Sequence, residues 1–348
     1  MTITSEQVAC LTGRLRAVPG FEAAELARPP EPMTGGFWAS IYLLRLAGVP
    51  PGADKLVLRV MPDEAVAAKE AVFQRELARQ KFPVPAVRLA GVPGTGLGGA
   101  FLVMDHAAGR MPLDGLDGIA ALRRLPVLAR DLPELLGQVA ARLHALDAAP
   151  LRQALCDAGV TATVTAMLAG LQETSAAAGR ADLAAVAGWL AAHPPAPGPQ
   201  AACHGDLHPF NLLIEQGHWI LLDWTTALVA DPAYDLAFTA MVLRHPPLTA
   251  PPPLRPMLAA AGAVLARRFL RAYCQHGGRR PDLATLTWFG SLHALRILTE
   301  VDGWRRDAGG PPLAGHPWLA LAATAARGLA RATGISVRPG PRTASGSG

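Results

Sequence analysis

Between about Glu25 and Met104, apolar and polar positions alternate with a period of two, and the alternation is broken once. Tyr42-Leu43-Leu44-Arg45-Leu46 and Lys55-Leu56-Val57-Leu58-Arg59-Val60 alternate along their length, and Gly48 to Asp54 between them is rich in turn formers. Successive side chains of a strand point to opposite faces, so this spacing predicts a β-hairpin. The break runs from Asp63 to Lys81, where Val66, Phe73 and Leu77 recur at helical intervals before Pro83 and Pro85 end the pattern. Two further apolar runs, Val87 to Ala90 and Ala100 to Met104, flank a Gly-rich turn from Gly91 to Gly99. The segment predicts about five strands and one helix.

Past Gly109 the period changes. Ile119 to Leu146, Thr161 to His193, Ala233 to Leu243, Pro256 to Tyr273, Asp282 to Trp304 and Pro317 to Ala332 carry the helical pattern, and Pro194 to Pro199 closes the second stretch. A second β island, Leu212 to Ile214 and His218 to Asp223 about the turn Glu215-Gln216-Gly217, interrupts the helices. Residues 339–348, rich in Ser and Gly, predict a disordered tail. There is no internal repeat. The order of elements predicts an α+β fold, with a five-stranded sheet and one helix in residues 1–108 and a helical lobe in residues 109–338.

Composition narrows the class. At 348 residues, 51% apolar and 17% charged, the chain suits two lobes that each bury a core, and a disordered chain is excluded. No eighteen consecutive residues are apolar, and Thr2, Ser5, Glu6 and Gln7 stand where a secretory signal would need a basic start and an apolar run. The expectation is a soluble, cytoplasmic protein without membrane association. Cys10, Cys156, Cys203 and Cys274 form no C-x-x-C pair, which suggests neither a zinc site nor a disulfide framework. Cys203 reads as a small buried residue ending a strand. The net charge of +5 is dispersed and no nucleic-acid-binding motif accompanies it, so no nucleic-acid partner is expected. Oligomeric state leaves no mark in the sequence.

One stretch concentrates chemistry: His204-Gly205-Asp206-Leu207-His208-Pro209-Phe210-Asn211, with Asp223 at the end of a later strand. Phosphoryl transfer needs a carboxylate to orient the attacking hydroxyl and accept its proton. It also needs an amide oxygen and a second carboxylate to hold the Mg2+ that neutralises nucleotide phosphates. Asp206, Asn211 and Asp223 supply these in that order. His204 and His208 have an H-x-x-x-H spacing that binds zinc on a helix, but Gly205 and Pro209 disfavour a helix and no third ligand is evident.

These residues resemble the aminoglycoside phosphotransferase and choline kinase superfamily, relatives of the protein kinases. Its catalytic loop reads H-G-D-x-x-x-x-N, and its metal carboxylate lies in a D-W or D-F pair, here Asp223-Trp224. The resemblance implies a protein-kinase-like bilobal fold with a small β-rich, nucleotide-binding N-lobe and a larger helical C-lobe. It further implies ATP or GTP as co-substrate and Mg2+ as metal. It makes His204 a brace of the loop. Asp231-Pro232-Ala233-Tyr234-Asp235-Leu236-Ala237 is similar to the family's G-D-P-x-x-D-L-A element, with Ala230 where glycine is usual, and implies that Asp235 is buried and ties the loop in place. Leu143-His144-Ala145-Leu146-Asp147 is similar to its L-H-x-L-D, with His144 a packed structural residue.

In such a fold the glycines of Met33-Thr34-Gly35-Gly36-Phe37-Trp38 let backbone N–H groups approach phosphate. Val57 and Arg59 share one strand face, Val57 touching adenine and Arg59 the phosphates, with Lys55 on the same face as a second choice. Arg59 stands where the protein kinases use lysine, and its fork still suits phosphate oxygens. Glu70 is the ion-pair partner expected on the following helix, with Glu76 the competing choice. The backbone of Asp105, His106 and Ala107 is expected to pair with the adenine edge. The resemblance spans about residues 25 to 305.

Only Trp224 to Ala230 separate Asp223 from Asp231, too little chain for a protein kinase's activation segment, so the acceptor expected is a small-molecule hydroxyl. The flanking helical stretches are poor in carboxylates, which points away from polycations and towards a neutral, sugar-like or macrolide-like acceptor, an antibiotic among them. Phe289, His293, Arg296, Glu300 and Trp304 fall on one face of the penultimate helix and are candidates to line the acceptor site, an ordinary part-packed, part-solvated face being the alternative. Two other readings stay open: a kinase of an endogenous amino alcohol or sugar, and a catalytically silent, kinase-like nucleotide-binding protein. Retention of Asp206, Asn211 and Asp223 together disfavours the second.

Overall fold

In the computed structural model the alternating segments pair into one antiparallel sheet, with order β1-β3-β4-β6-β5 and β2 set against β3. The strands are β1 (Glu25–Leu26), β2 (Glu31–Pro32), β3 (Ser40–Ala47), β4 (Lys55–Met61), β5 (Val87–Gly91) and β6 (Ala100–Asp105). The structure describes residues 3–33, 39–92, 96–114, 118–246, 253, 255–306 and 317–339. Gly35 and Gly36, and the predicted tail beyond residue 339, lie outside the described residues. The sheet has six strands where about five were expected, because β1 and β2 span two residues each and are too short to show a period.

The alternation of β4 sorts its side chains as the sequence implies. Leu56, Leu58 and Val60 join the core with Leu44, Phe101 and Val103, while Val57 and Met61 face Leu102, Met104, Ala67 and Ala71. The second face is covered by α2 (Glu64–Arg79), capped by the Asp63 carboxylate on the N–H groups of Ala65 and Val66. The first face contains Leu11 and Leu15, fully buried, from α1 (Ser5–Leu15). That helix was absent from the sequence expectation although its capping box was legible: Thr4 Oγ1 accepts from the Gln7 N–H, and the Gln7 side chain accepts from the Thr4 N–H at 2.8 Å.

The remaining elements in chain order are α3 (Gly118–His144), α4 (Ala148–Asp157), α5 (Val164–Ala177), α6 (Ala181–Ala192), β7 (Ala201–Cys203), β8 (Leu212–Glu215), β9 (His218–Leu221), β10 (Leu228–Ala230), α7 (Ala233–Arg244), α8 (Arg255–Gln275), α9 (Leu283–Arg306) and α10 (Pro317–Thr333). The stretch predicted as one helix from Thr161 to His193 is two, broken at Gly179, which sits at φ +69° and ends α5 as glycine does after a helix. Strand β10 was not expected. Its pairing with β7 places Ala230 opposite Ala201 in extended backbone, so the residue standing for the family's glycine carries its Cβ without strain.

Contacts divide the chain into two units. Met1–Ala121, Leu146–Thr161 and Pro209–Ala227 form the first; Leu122–Ala145, Ala162–His208 and Leu228–Gly348 form the second. The first unit takes in, besides the sheet, α4 and the separate two-stranded β8–β9 hairpin. The first unit is built on the sheet and the second on helices, an α+β fold of the protein-kinase-like kind. In the second unit α9 packs against α5, α6, α7 and α10. All its residues from Ser291 to Thr299 are buried, as befits a helix enclosed on every side.

Candidate active site

In the first unit the chemistry gathers around one cation. Arg59 on β4 donates from Nη1 to Glu70 Oε1 at 2.6 Å and from Nη2 to Asp223 Oδ2 at 3.3 Å. Of the two helical glutamates proposed for this cation it is Glu70 that Arg59 reaches; Glu76 is bonded instead to Arg79 and Gln80. Glu70 is fully buried and also accepts from Gln74 at 2.9 Å. Burial pushes its carboxyl up to about 7, against the opposing pull of Arg59.

Asp223 follows β9 with φ +63°, a left-handed conformation that aspartate tolerates better than most residues and that marks functional turns. Its Oδ1 accepts from the Thr225 hydroxyl at 2.7 Å and the Thr225 N–H at 3.3 Å. Leu212 pairs with Leu221, and the Leu222 N–H donates to the Asn211 carbonyl at 2.8 Å, so Asn211 and Asp223 sit at the open end of the same hairpin. Trp224 anchors that end: it is fully buried and stacks on Phe73 of α2 at 6.3 Å. The donor set here, an amide oxygen and a partly exposed carboxylate, is of the hard-oxygen kind that suits Mg2+.

At the end of β6 the N–H groups of Asp105 and His106 donate to the carbonyls of Ala86 and Lys55, and the Asp105 carboxylate is forked by Arg88 at 2.6 and 2.7 Å. Those two N–H groups are thus bonded within the first unit. Val57 is half-buried beside Met104, and Lys55 is exposed.

In the second unit Asp206 lies in the loop that follows β7. Gly205 turns that loop at φ +77°. Asp235 of α7, fully buried, accepts from the N–H groups of His204 (2.9 Å) and Gly205 (2.5 Å) and pairs with His144 Nε2 at 3.0 Å. Burial alone would raise the Asp235 carboxyl; the His144 and His204 contacts hold it below the usual range. His204 is fully buried and its Nδ1 accepts from the Asp206 N–H at 3.2 Å. Asp206 itself has His208 Nε2 at 3.2 Å from Oδ2 and Arg296 Nη2 at 3.5 Å from Oδ1. Burial works to raise its carboxyl, but the neighbouring His208, Arg296 and His204 hold it well below the usual range.

His144, Cys203 and Asp235 bring ligand atoms within 4.8 Å of one another, the one such group among the described residues. It does not fit a metal: both His144 nitrogens are engaged, by Asp235 and by Tyr273 at 3.1 Å, and burial beside Asp235 and Asp231 pushes the Cys203 thiol up. Cys203 ends β7, fully buried, as expected.

The candidates on α9 divide. His293 is fully buried with Nε2 at 2.7 Å from the Tyr234 carbonyl, and burial, then Arg296, lowers its imidazole to about 3. Trp304 stacks on Trp318 at 5.6 Å in an apolar cluster with Ile297 and Val301. Both side chains are buried, as α9 is central in its unit. Arg296 reaches Asp206, and Glu300 lies 3.9 Å from Arg296. Burial pushes the Glu300 carboxyl up to about 7, with Arg296 opposing and Asp206 adding. Sequence reasoning assigned no role to Thr225, although it stands two residues after the carboxylate it holds.

The profile of the Phosphotransferase enzyme family matches residues 31–286. The chain belongs to this family. It is similar in fold to a candidate aminoglycoside phosphotransferase of Ralstonia eutropha JMP134, with TM-score 0.66, 20% identity and 94% and 98% of the two chains covered. Amicoumacin kinase hAmiN (0.56, 16% identity, 95% and 94%) and an aminoglycoside-3'-phosphotransferase of type VIII (0.54, 21%, 84% and 100%) share the fold. In sequence the chain is 56% identical over 85 residues to the uncharacterized protein YcbJ of Bacillus subtilis (strain 168), a match spanning 24% of this chain and 22% of that protein. No helix among the described residues is long and apolar enough to cross a membrane.

Proposed function

We propose that this phosphotransferase moves the γ-phosphoryl group of ATP or GTP to a hydroxyl of a small molecule. The observation that carries the reading is Arg59, one cation bound both to a buried helical glutamate and to the carboxylate that follows β9. A nucleotide kinase needs that arrangement to present a fixed positive charge to phosphate. Asn211 and Asp223 would hold Mg2+, which when bound neutralises phosphate charge. Arg59, kept in place by Glu70, orients phosphate oxygens, and the N–H of Ala107 recognises the base.

Asp206 accepts a hydrogen bond from the acceptor hydroxyl and aims its oxygen at phosphorus. With its proton affinity held down by His208, Arg296 and His204, Asp206 is a strong orienting group and a weak base. That suits a loose transition state in which the bond to the departing nucleoside diphosphate breaks as the new O–P bond forms, and the hydroxyl proton passes late to Asp206.

The acceptor we propose is neutral, sugar-like or macrolide-like. Among the acids flanking the motif, Asp182 and Asp302 are both spent on Arg180, and Asp282 caps α9 through Thr285. Few carboxylates remain to hold a polycation. Phosphate transfer from Mg-nucleotide across a panel of hydroxylated antibiotics, sugars and amino alcohols tests the acceptor. Asp206→Ala is expected to abolish transfer with nucleotide affinity retained, and Asp223→Ala to weaken Mg-nucleotide binding itself. Calorimetry that finds no Mg2+-dependent nucleotide binding in the unmutated chain removes the reading.

A further inference from the structure

Arg296 carries a full charge into the interior of the second unit, its side chain 3% exposed. Burying a cation is costly unless its surroundings repay the lost hydration. Tyr234, which is hydrogen-bonded to the guanidinium, and Glu300 contribute to the repayment, and so does the loop that bears Asp206. Nη1 donates to the Gly205 carbonyl at 3.0 Å, and Nη2 lies 3.5 Å from Asp206 Oδ1, ninety residues away in the chain. The guanidinium stands over the rings of Phe238, at 5.0 Å, and Trp318, at 5.2 Å, and Trp318 is itself stacked on Trp304. Rings on the side chain's flanks and a backbone carbonyl at its tip leave the planar fork little freedom. The other carboxylate oxygen, Oδ2, faces His208.

We infer that Arg296 is a positioning residue for Asp206: by spanning the Gly205 carbonyl and Oδ1 it sets the direction in which the carboxylate meets the acceptor hydroxyl. This rests on the phosphotransferase reading for its consequence, though not for its geometry. It replaces the acceptor-lining role suggested by the helical face, since a side chain so enclosed has its polar neighbours within the protein. Lysine would keep the charge and lose the fork, so it separates charge from positioning.

The test uses the full chain with MgATP, water standing in for the acceptor where none has been found. In Arg296→Lys, kcat is expected to fall about a hundredfold, the scale of a misplaced reacting group, with KM for MgATP unchanged within about twofold. In Arg296→Ala, guanidinium ion in solution is expected to restore kcat by about tenfold or more, a recovery that a merely structural role does not give. A folded Arg296→Lys with kcat within about threefold of the unmutated chain overturns the inference.

A second readout is independent of turnover. Carboxyl 13C NMR of Asp-labelled protein, with the Asp206 signal assigned by its loss in Asp206→Asn, follows the carboxylate directly. The charged or titratable groups facing it are His204 and His208 on its own loop, Tyr234 on α7, and His293, Arg296 and Glu300 on α9. In Arg296→Met the Asp206 titration is expected to move up by about one unit or more. An unmoved titration in a folded variant overturns the contact. Absence of turnover in the unmutated chain counts against the phosphotransferase reading alone.

Discussion

Asp235 holds two backbone N–H groups and an imidazole with one carboxylate. Asp235→Ala leaves those donors buried and unpaired, and unfolding free energy is expected to fall by about 3–5 kcal/mol, read from denaturant midpoints at constant slope. Glu300 makes a different prediction, set by pH. Its folded-state carboxyl is raised from 4.5 to about 7, so its contribution to stability is full below about 4.5 and is lost as pH rises through about 7. Glu300→Gln mimics the protonated form. The unmutated chain is expected to lose on the order of 2 kcal/mol relative to Glu300→Gln between about pH 5 and pH 8. Parallel stability curves for the two proteins across that range would show that Glu300 does not titrate there.

At the scale of elements, helices approach closely where a side chain is missing. A Cβ on Gly137 of α3 would lie 2.7 Å from both Ala272 Cβ and the Tyr273 backbone nitrogen of α8. Gly137→Val is expected to destabilise by about 2–4 kcal/mol by forcing the two helices apart, whereas the same change at Gly170, which meets nothing within 4 Å, is expected to cost under about 1 kcal/mol. Equal midpoints for the two variants would refute the close crossing. Such glycines carry no signal of their own in the sequence. The helix α1 did: Thr4 and Gln7 spell its cap, while only Leu11 and Leu15 are buried, too few apolar positions for a periodic pattern to stand out.

For the whole molecule, ligand binding is linked to stability. Mg-nucleotide at about a hundred times its Kd is expected to add about 2.7 kcal/mol, visible as a rise in melting temperature. The rise is expected to survive Asp206→Ala and to vanish in Asp223→Ala. A rise that persists undiminished in Asp223→Ala would move the metal site elsewhere. Magnesium withdrawn by a chelator is expected to reproduce the Asp223→Ala result in the unmutated chain.

How much of this was legible follows from the range of each interaction. The period of two in β4, the cap at Asp63 and the spacing from Asp206 to Asn211 are local, because they depend on neighbours a few residues apart in one strand, turn or loop. The sequence therefore determined most of the longer elements, the reactive residue types and the family they belong to. It left open which residues meet. Arg59 and Asp223 are 164 residues apart, and Arg296 and Asp206 are 90 apart. The helical pattern of α9 placed His293, Arg296 and Glu300 on one stripe without saying that the stripe was enclosed. Only tertiary packing decided that, because burial on every side is set by four other helices and not by the period of α9 itself. The same packing turned Arg296 from a residue that waits for a ligand into one that holds a carboxylate.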